Sequence, residues 1–337
     1  MSGAAPLLEV ANLRVALFTR RSTVLPVLSV SYEVRAGETV AIVGESGSGK
    51  TILNLAPLRL LPPGVGLEMS GSVKFLGREL LDLDERGLQE IRGKQIGTIF
   101  QDPLSALNPM RRVGIQLIEA IERDLSLTAT AAERRAIELF ELVGMPDAAK
   151  RLVLYPHELS GGMRQRVMVA IGIAGDPKLL IADEPTTALD VTVQAQIVQL
   201  LKDLQQRLGM AIVLITHDIG VVAGMADRVL IMYAGRIVEA GLADDVLVKP
   251  RHPYTTGLLE SVPDPNAPVG SPFKGLPGFP PNLAESLTGC AFAPRCGFAV
   301  AECTRTTPRL ELVSSSPTHA AACPVVASME QARAMLA

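Results

Sequence analysis

Long hydrophobic runs and clusters of basic residues are both missing from this sequence. The apolar stretch at residues 167–175 falls far short of the ~20 residues that a membrane-spanning helix needs, so we expect no passage through a bilayer. Lysine and arginine number 32 against 35 acidic residues, a formal net charge of −3, which argues against a dedicated duplex-DNA binder. Residues 1–8 lack a basic segment followed by an apolar one, so we expect no signal peptide and a cytoplasmic protein.

Cysteine is absent before position 290 and then occurs four times, as Cys290, Cys296, Cys303 and Cys323. Four thiols in one segment can form two disulfides, hold zinc, or hold an iron–sulfur cluster. A reducing cytoplasm argues against disulfides, and the short C-x₂₋₄-C pairs of structural zinc sites are absent. Free buried thiols are a further alternative.

Short apolar runs flanked by polar turns predict buried strands, and apolar residues at three- and four-residue spacing predict helices. The predicted strands include residues 39–43, 178–182 and 211–215, and the predicted helices include residues 113–122 and 131–143. Strands that alternate with helical segments indicate an α/β fold with a mostly parallel core sheet.

The length of 337 residues suits about two domains. Helical spacing dominates residues 102–173, which we interpret as a helical insertion. Past Gly241 prolines become frequent and periodicity fades. We therefore place a boundary near residue 245, with one domain over residues 1–245 and a loop-rich extension over residues 246–337.

A predicted strand leads into a loop that fits the phosphate-binding pattern G-x-x-x-x-G-K-[ST]. Its residues are Gly44, Glu45, Ser46, Gly47, Ser48, Gly49, Lys50 and Thr51. Glycines are needed because a Cβ would block the approach of backbone N–H groups to phosphate oxygens. We expect Lys50 to reach the β- and γ-phosphates of a nucleotide and the Thr51 hydroxyl to bind Mg²⁺. The alternative is a glycine-rich turn without chemical function.

A second predicted strand ends in two adjacent carboxylates, Asp183 and Glu184. Ligands of parallel sheets bind at the carboxyl ends of strands, so Asp183 is placed to hold Mg²⁺. Glu184 is placed to act as a general base toward water. An isolated Asp-Glu pair at a strand end is more often a solvated turn, but its occurrence together with Lys50 favours the chemical interpretation.

Between these motifs lies the octet Leu-Ser-Gly-Gly-Met-Arg-Gln-Arg at residues 159–166, which resembles the signature sequence of ATP-binding cassette (ABC) proteins. We predict that Ser160 caps a helix, so that its hydroxyl and the N–H groups of Gly161 and Gly162 can bind an anion. Standing alone, the octet could be a plain turn before a solvated helix.

Three further motifs of the ABC family occur in its usual order. Gln101 falls where the family has its Q-loop, Asp190 ends its D-loop, and His217 matches its switch histidine. The resemblance implies that Gln101 couples Mg²⁺ and water to the helical insertion and that His217 senses the γ-phosphate, although a lone histidine after a strand is usually structural. By position, Phe18 is the aromatic residue that contacts adenine; a core aromatic of the first strand is the alternative.

The resemblance implies a P-loop NTPase cassette with an N-terminal antiparallel β part and a helical subdomain. It also implies a head-to-tail dimer in which the phosphate loop of one subunit faces the signature of the other. ATP then joins the two subunits, and hydrolysis depends on their closure.

The finer resemblance is to the ATP-binding subunits of oligopeptide and dipeptide importers, and it covers nearly the whole chain. It rests on the extended Q-loop at residues 100–109, the segment at residues 227–239, and the start of the extension at residues 252–255. Thr51 replaces the more usual serine but preserves the hydroxyl. This resemblance favours a [4Fe–4S] cluster on the four cysteines, with zinc as second choice.

The subfamily implies an ATPase that powers the import of di- or oligopeptides from the cytoplasmic face of the cell membrane. Its expected partners are a second ABC ATPase subunit, commonly a paralogue, two transmembrane permease subunits and, indirectly, an extracytoplasmic substrate-binding protein. Nucleic acid is not expected among them.

Three alternatives compete with a peptide importer. The first is an ABC importer ATPase for another solute, such as a metal chelate. The second is a soluble ABC ATPase that acts on nucleic acid or ribosomes, but such proteins usually carry two cassettes or a long coiled-coil insertion, and this chain has neither. The third is a regulatory module with a dead site, which the presence of Lys50, Asp183, Glu184 and His217 disfavours.

Overall fold

The computed structural model describes residues 5–19, 22–62, 64–125, 127–262, 275–285, 287–313 and 316–325. Four prolines of the predicted extension lie outside these ranges: Pro263, Pro265, Pro268 and Pro272.

The described residues form twelve β-strands, in chain order β1 (Leu8–Phe18), β2 (Thr23–Val34), β3 (Thr39–Val43), β4 (Gly66–Phe75), β5 (Arg78–Glu79), β6 (Ile96–Ile99), β7 (Leu179–Asp183), β8 (Ala211–Thr216), β9 (Arg228–Tyr233), β10 (Arg236–Leu242), β11 (Glu311–Leu312) and β12 (Ala320–Ala321).

The same residues form eleven α-helices, in chain order α1 (Lys50–Leu55), α2 (Glu85–Gln89), α3 (Pro103–Ala106), α4 (Val113–Leu125), α5 (Ala129–Leu142), α6 (Ala148–Arg151), α7 (Gly161–Gly172), α8 (Val191–Leu208), α9 (Ile219–Met225), α10 (Ala243–Val248) and α11 (Pro253–Glu260). Short 3-10 turns occur at Pro156–Glu158, Ala293–Arg295 and Ala301–Thr304.

The chain divides into two compact units, each built from separate segments. The first unit takes the described parts of Met1–Leu8, Glu33–Thr39 and Lys74–Ile215. The second takes the described parts of Glu9–Tyr32, Val40–Val73 and Thr216–Ala337. The two units are defined by compactness alone, so they do not test the predicted domain boundary near residue 245. That boundary stays a prediction.

The first unit contains three parallel strands in the order β8-β7-β6. Leu179 of β7 lies opposite Ile96 of β6 and Ala211 of β8. Every residue of β7 is buried, as expected for a parallel strand covered on both faces, where the sequence becomes a continuous apolar run. The strands predicted at residues 178–182 and 211–215 are therefore confirmed.

The helical part of this unit is built on the contact between α4 and α5. Val113, Leu117 and Ile121, four residues apart on α4, are fully buried, as are Ala132, Ala136 and Phe140 at the same spacing on α5. This four-residue spacing places the apolar side chains on one face of each helix. Both predicted helices are thus confirmed. Among the described residues, no helix is long and apolar enough to cross a membrane.

The second unit contains strands in the order β11-β12-β10-β9-β3, with β3 parallel to β9 and the other pairs antiparallel. It also contains strands β2, β1 and β4, which are neighbours in that order in a second sheet. The last two residues of β4 belong to the first unit, where Lys74 lies opposite Glu79 of the antiparallel strand β5. Parallel and antiparallel strands combined with helices confirm the predicted mixed α/β fold.

A buried polar cluster joins the predicted extension to β10. The carboxylate of Glu239, which is fully buried, accepts hydrogen bonds from the backbone N–H groups of Arg251 (2.6 Å) and His252 (2.9 Å) and lies 2.7 Å from His319 Nε2. His252 caps α11, because its Nδ1 accepts a hydrogen bond from the Tyr254 N–H at 3.1 Å. Burial lowers the pKa of His252 to about 4, although the nearby Glu239 carboxylate opposes this shift.

We expect His252 to make the fold acid-sensitive. Its pKa is lower in the folded chain than the ordinary value of about 6.5, so the unfolded chain binds more protons as the pH falls from 6.5 to 4, and stability decreases by up to roughly 3 kcal/mol. His252→Asn keeps an acceptor for the helix cap but cannot become charged. Thermal unfolding midpoints between pH 8 and 4 should fall less steeply for the variant; equal slopes would contradict this prediction.

Candidate functional site

The phosphate-binding pattern forms a tight loop between β3 and α1. A Cβ on Gly44 would lie 2.1 Å from the Met232 carbonyl oxygen of β9, and a Cβ on Gly49 would lie 2.0 Å from the Pro26 carbonyl oxygen of β2. Gly49 also has a φ of 104°, which favours glycine. The loop backbone is therefore held against two strands at positions where only glycine fits.

Two side chains of the loop have the chemistry that phosphate binding needs. Lys50 Nζ donates hydrogen bonds to the carbonyl oxygens of Gly44 (2.8 Å) and Glu45 (2.9 Å), which places the ammonium group over the loop. Ser48 Oγ is buried and has no hydrogen-bond partner among the described residues. A buried hydroxyl without a partner is costly unless a ligand satisfies it, so these residues fit a phosphate group.

The two adjacent carboxylates emerge at the end of β7. Asp183, the last residue of the strand, is buried. Glu184 has a φ of 47°, an unusual backbone conformation for a residue other than glycine. Its backbone N–H donates to the Ile215 carbonyl oxygen of β8 at 2.8 Å, so the neighbouring strand holds this conformation.

The Glu184 side chain is oriented by two hydrogen bonds to the same carboxylate oxygen. Gln101 Nε2 and Thr187 Oγ1 each donate to Glu184 Oε2 at 2.8 Å. Gln101 uses its amide nitrogen here, so its carbonyl oxygen is the atom that can bind a cation. Magnesium is commonly held by one or two carboxylates together with substrate phosphates, and Asp183 with Gln101 fits that chemistry on the protein side.

The signature residues lie at the start of α7, as predicted. Ser160 is the N-cap, and its Oγ accepts a hydrogen bond from the Met163 N–H at 3.3 Å. A Cβ on Gly162 would lie 2.7 Å from Val193 Cγ1 of α8. Asp190 caps α8, because its Oδ1 accepts a hydrogen bond from the Val193 N–H at 2.9 Å. The signature and the predicted D-loop thus meet where these two helices begin.

The predicted site residues are divided between the two units. The first unit contains Gln101, Ser160, Gly161, Gly162, Asp183, Glu184 and Asp190, and the second contains Phe18, residues 44–51 and His217. Phe18 ends β1 with 41% of its surface exposed, which favours a contact aromatic over the alternative of a core residue. His217 directly follows β8 and is exposed.

The four cysteines lie in one region of the second unit as free thiols. Cys303 is buried and packs with Val325 against Cys290 and Cys323. Burial is the main cause that raises the pKa of Cys290, of Cys296 and, to about 11, of Cys323. Neighbouring thiols add to each of these shifts, and all three other cysteines contribute to that of Cys323.

The predicted metal centre on these thiols has no support from the geometry. The described ranges, which include all four cysteines, contain no group of three or more His, Cys, Asp or Glu side chains arranged to hold a metal ion. Burial raises the pKa of Cys290 and Cys323, and a protonated thiol packs as a small apolar group. Neither the iron–sulfur cluster nor zinc is therefore established.

Three residues that bear on the site were missed by the sequence analysis. Thr187 had a local signal, a hydroxyl three residues after Glu184, but no motif singled it out. Tyr254 Oη accepts a hydrogen bond from the Glu45 N–H at 2.8 Å, and Arg295 forms an ion pair with the Glu45 carboxylate at 2.7 Å. These two partners lie 209 and 250 positions from Glu45, so no sequence spacing could have revealed them.

Two family models match the chain. Residues 27–187 match the model described as ABC transporter. Residues 238–303 match the model described as oligopeptide/dipeptide transporter, C-terminal region.

Curated relatives are similar over most of their length. The oligopeptide transport ATP-binding protein OppD of Bacillus subtilis is 49% identical, covering 87% of this chain and 82% of the relative. The protein of the same name from Salmonella typhimurium is 49% identical, covering 94% and 93%. A probable peptide ABC transporter ATP-binding protein of Sinorhizobium fredii is 47% identical, covering 94% of each chain.

Solved structures of ATP-binding cassettes have the same fold. The cassette MJ0796, in a dimeric post-hydrolysis state bound to ADP and phosphate, has a TM-score of 0.60 at 28% identity, covering 70% of this chain and 98% of that one. The cbiO1 subunit from Clostridium perfringens has a TM-score of 0.62 at 27% identity, covering 73% and 92%.

We expect Thr187→Val to lower the rate of nucleotide hydrolysis about tenfold without changing nucleotide affinity. Valine has the shape of threonine but cannot donate to Glu184 Oε2, and a hydrogen bond to a charged group is worth roughly 1.5–3 kcal/mol. Steady-state phosphate release and nucleotide titration measure the two quantities. Thr187→Ser, which keeps the hydroxyl, is the matched control. If both variants turned over at the unaltered rate, Thr187 would have no role in orienting Glu184.

Proposed function

Because the chain belongs to the ABC transporter ATP-binding subunits of the oligopeptide and dipeptide branch, we propose that its phosphate loop binds the phosphates of ATP and that its strand-end carboxylates act in ATP hydrolysis. The protein is an ABC ATPase that couples ATP hydrolysis to peptide import. It binds ATP and Mg²⁺ and works with a membrane permease complex. The observation that carries the residue assignment is the doubly hydrogen-bonded carboxylate of Glu184.

In the proposed site, residues 44–51 surround the phosphates of ATP. Lys50 neutralises the β- and γ-phosphates, Ser48 donates to a phosphate oxygen, and Phe18 contacts the adenine. Mg²⁺ shields the phosphate charge when bound, with Thr51 and Asp183 as its protein ligands together with Gln101. The tight backbone at Gly44 and Gly49 supports this assignment, because it directs the loop without a bulky side chain in the way.

Glu184 acts as the general base and accepts a proton from the attacking water. The hydrogen bonds from Gln101 and Thr187 orient the carboxylate and hold its Oε2 atom. His217 contacts the γ-phosphate. Gln101 lies just before α3, at the start of the helical part. We infer that a movement of the helical part would reach Glu184 through the hydrogen bond between Gln101 and Glu184.

We infer that Ser160, Gly161 and Gly162, with Asp190, act on the nucleotide bound by a partner ATPase subunit. What supports this is a helix start whose N-cap hydroxyl and glycine N–H groups suit an anion. Two permease subunits, a second and different ATPase subunit and an extracytoplasmic substrate-binding protein complete the proposed assembly. We propose that the protein works at the cytoplasmic face of the cell membrane as a peripheral subunit.

We also propose that residues 246–337 form a C-terminal extension in which Cys290, Cys296, Cys303 and Cys323 bind one [4Fe–4S] cluster, with zinc as second choice. The packing of Cys290 and Cys323 against Cys303 supports a shared site. Neighbouring thiols also contribute to the raised pKa values of Cys290, Cys296 and Cys323. Iron binding would displace the thiol protons and would need the side chains to rearrange, since the thiols of the described residues do not form a group arranged to hold a metal ion.

We expect Glu184→Gln to keep MgATP binding and to lower steady-state ATP hydrolysis in the assembled transporter by ~10²–10⁴-fold, as is typical for loss of a general base. The amide keeps the shape of the side chain, and its carbonyl oxygen can still accept from Gln101 and Thr187. Glu133→Gln, the same change at an exposed position of α5, is the matched control and should hydrolyse normally. Near-normal hydrolysis by Glu184→Gln would refute the proposed base.

The cluster proposal predicts that anaerobically purified protein is brown, with about four iron and four sulfide per chain. Cys303→Ser should remove most of the iron, while Glu302→Gln at the exposed neighbouring position should retain it. Iron and sulfide analysis with absorption spectra measures both. Colourless protein that carries stoichiometric zinc, or no metal after anaerobic preparation, would show the cluster assignment to be wrong.

A further inference from the structure

The second residue of the phosphate loop is held by the C-terminal extension through both its side chain and its backbone. Arg295 donates two parallel hydrogen bonds to the Glu45 carboxylate, from its two terminal nitrogens at 2.7 and 2.9 Å. Tyr254 accepts a hydrogen bond from the Glu45 N–H at 2.8 Å. All of these residues belong to the second compact unit. Glu45 is thus attached to residues more than 200 positions away along the chain.

Arg295 is itself held in one orientation. Its Nε donates to the Pro277 carbonyl oxygen at 2.6 Å, and a terminal nitrogen donates to Tyr233 Oη at 3.2 Å. The guanidinium carbon lies 5.8 Å from the centre of the Tyr233 ring and 5.7 Å from that of the Phe292 ring. The Arg295 side chain is only 6% exposed. A planar guanidinium with its donors occupied in this way offers Glu45 a fixed rather than a mobile partner.

The surrounding aromatic rings make this arrangement rigid. The Tyr233 and Tyr254 ring centres are 4.5 Å apart, and the Phe292 ring lies 5.4 Å from each of them. Tyr233 ends β9, Tyr254 lies in α11, and Phe292 precedes the 3-10 turn Ala293–Arg295. Three separate segments therefore fix the position from which Arg295 reaches the phosphate loop.

The negative charge of Glu45 connects its ion pair with Arg295 to phosphate binding. A carboxylate in a loop that binds phosphates repels the ligand unless a cation neutralises it. The hydrogen bonds to Glu45 are the main cause of the raised pKa of Arg295, so the guanidinium stays charged beside this carboxylate. An ion pair whose arginine is buried leaves an uncompensated charge when one partner is removed. Loss of Arg295 would therefore free the Glu45 side chain and leave its negative charge uncompensated in the loop.

We propose that Arg295, together with Tyr254, is a positioning residue for the nucleotide site: it neutralises and orients Glu45, so that the C-terminal extension sets the affinity of the phosphate loop for ATP. This inference rests on the proposed function, in that residues 44–51 are the loop that binds the phosphates. A purely structural contact would instead affect only the stability of the extension.

The test compares MgATP affinity with thermal stability in the full chain, by titration with a fluorescent ATP analogue and by unfolding midpoints. Arg295→Ala should weaken MgATP binding roughly tenfold or more. Arg295→Lys keeps the charge without the paired geometry and should bind severalfold more weakly than the unaltered chain. Arg305→Ala, at an exposed arginine of the same extension, is the matched control and should leave affinity unchanged.

The double variant Glu45→Gln with Arg295→Ala separates positioning from structure. Removal of the Glu45 charge should restore most of the affinity that Arg295→Ala loses, whereas a structural defect would persist or worsen. Failure of this rescue would overturn the electrostatic role. If Arg295→Ala does not fold, Arg295→Lys decides alone, and an unchanged affinity in that variant would refute the proposal.

Lys50→Ala tests the phosphate-loop assignment separately from the role of Arg295. Loss of ATP binding in Lys50→Ala, combined with unaltered affinity in both Arg295 variants, would remove the role of Arg295 and leave the phosphate loop assignment intact. Unaltered binding in Lys50→Ala would instead remove the proposed nucleotide site, and the role of Arg295 with it.

Discussion

The close approach of the phosphate loop to two neighbouring strands is the constraint on which the nucleotide site depends. A Cβ on Gly44 would clash with the Met232 carbonyl oxygen of β9, and a Cβ on Gly49 would clash with the Pro26 carbonyl oxygen of β2. The Gly235 N–H, in the turn after β9, donates to the Ser48 carbonyl oxygen at 2.9 Å and adds a third attachment. The strands therefore fix the backbone of the loop, whereas the Glu45 side chain is oriented by its own contacts with Arg295.

The carboxylates that follow β7 are held by a different kind of constraint. Glu184 has a backbone conformation that costs of order 1–3 kcal/mol in a residue with a side chain. The hydrogen bond to Ile215 of β8 and the two side-chain bonds from Gln101 and Thr187 offset this cost. The result is a carboxylate at the end of a buried strand that does not depend on loop flexibility. Such preorganisation is what a general base requires.

Much of this could be predicted where the chemistry is local in the sequence. The glycines, Lys50 and the Asp183–Glu184 pair stand at spacings set by backbone geometry, and the Ser160 cap follows from a serine before a helix; the structure confirms the loop and the cap. The structure of the extension was harder to predict, because it depends on contacts between residues distant in sequence, such as Glu239 and His319. Proline-rich composition suggested an appendage, whereas β12 in fact joins the strand β10. Arg295 was not singled out, because it stands among the cysteines and no sequence spacing connects it with Glu45.

The position of Arg295 links two parts of the molecule that the sequence treats as separate. The 3-10 turn that ends at Arg295 lies between Cys290 and Cys296, and the Cys290 N–H donates to the Cys303 carbonyl oxygen at 2.7 Å, so the packing of the thiols also orders the turn. If the ordered turn favours nucleotide binding by holding Glu45, nucleotide binding must favour the ordered turn by the same free energy, because coupling between two sites is reciprocal. Bound ATP would then stabilise the cysteine segment. The extension is then a structural part of the nucleotide site, even though it begins some 200 residues after the loop that it holds.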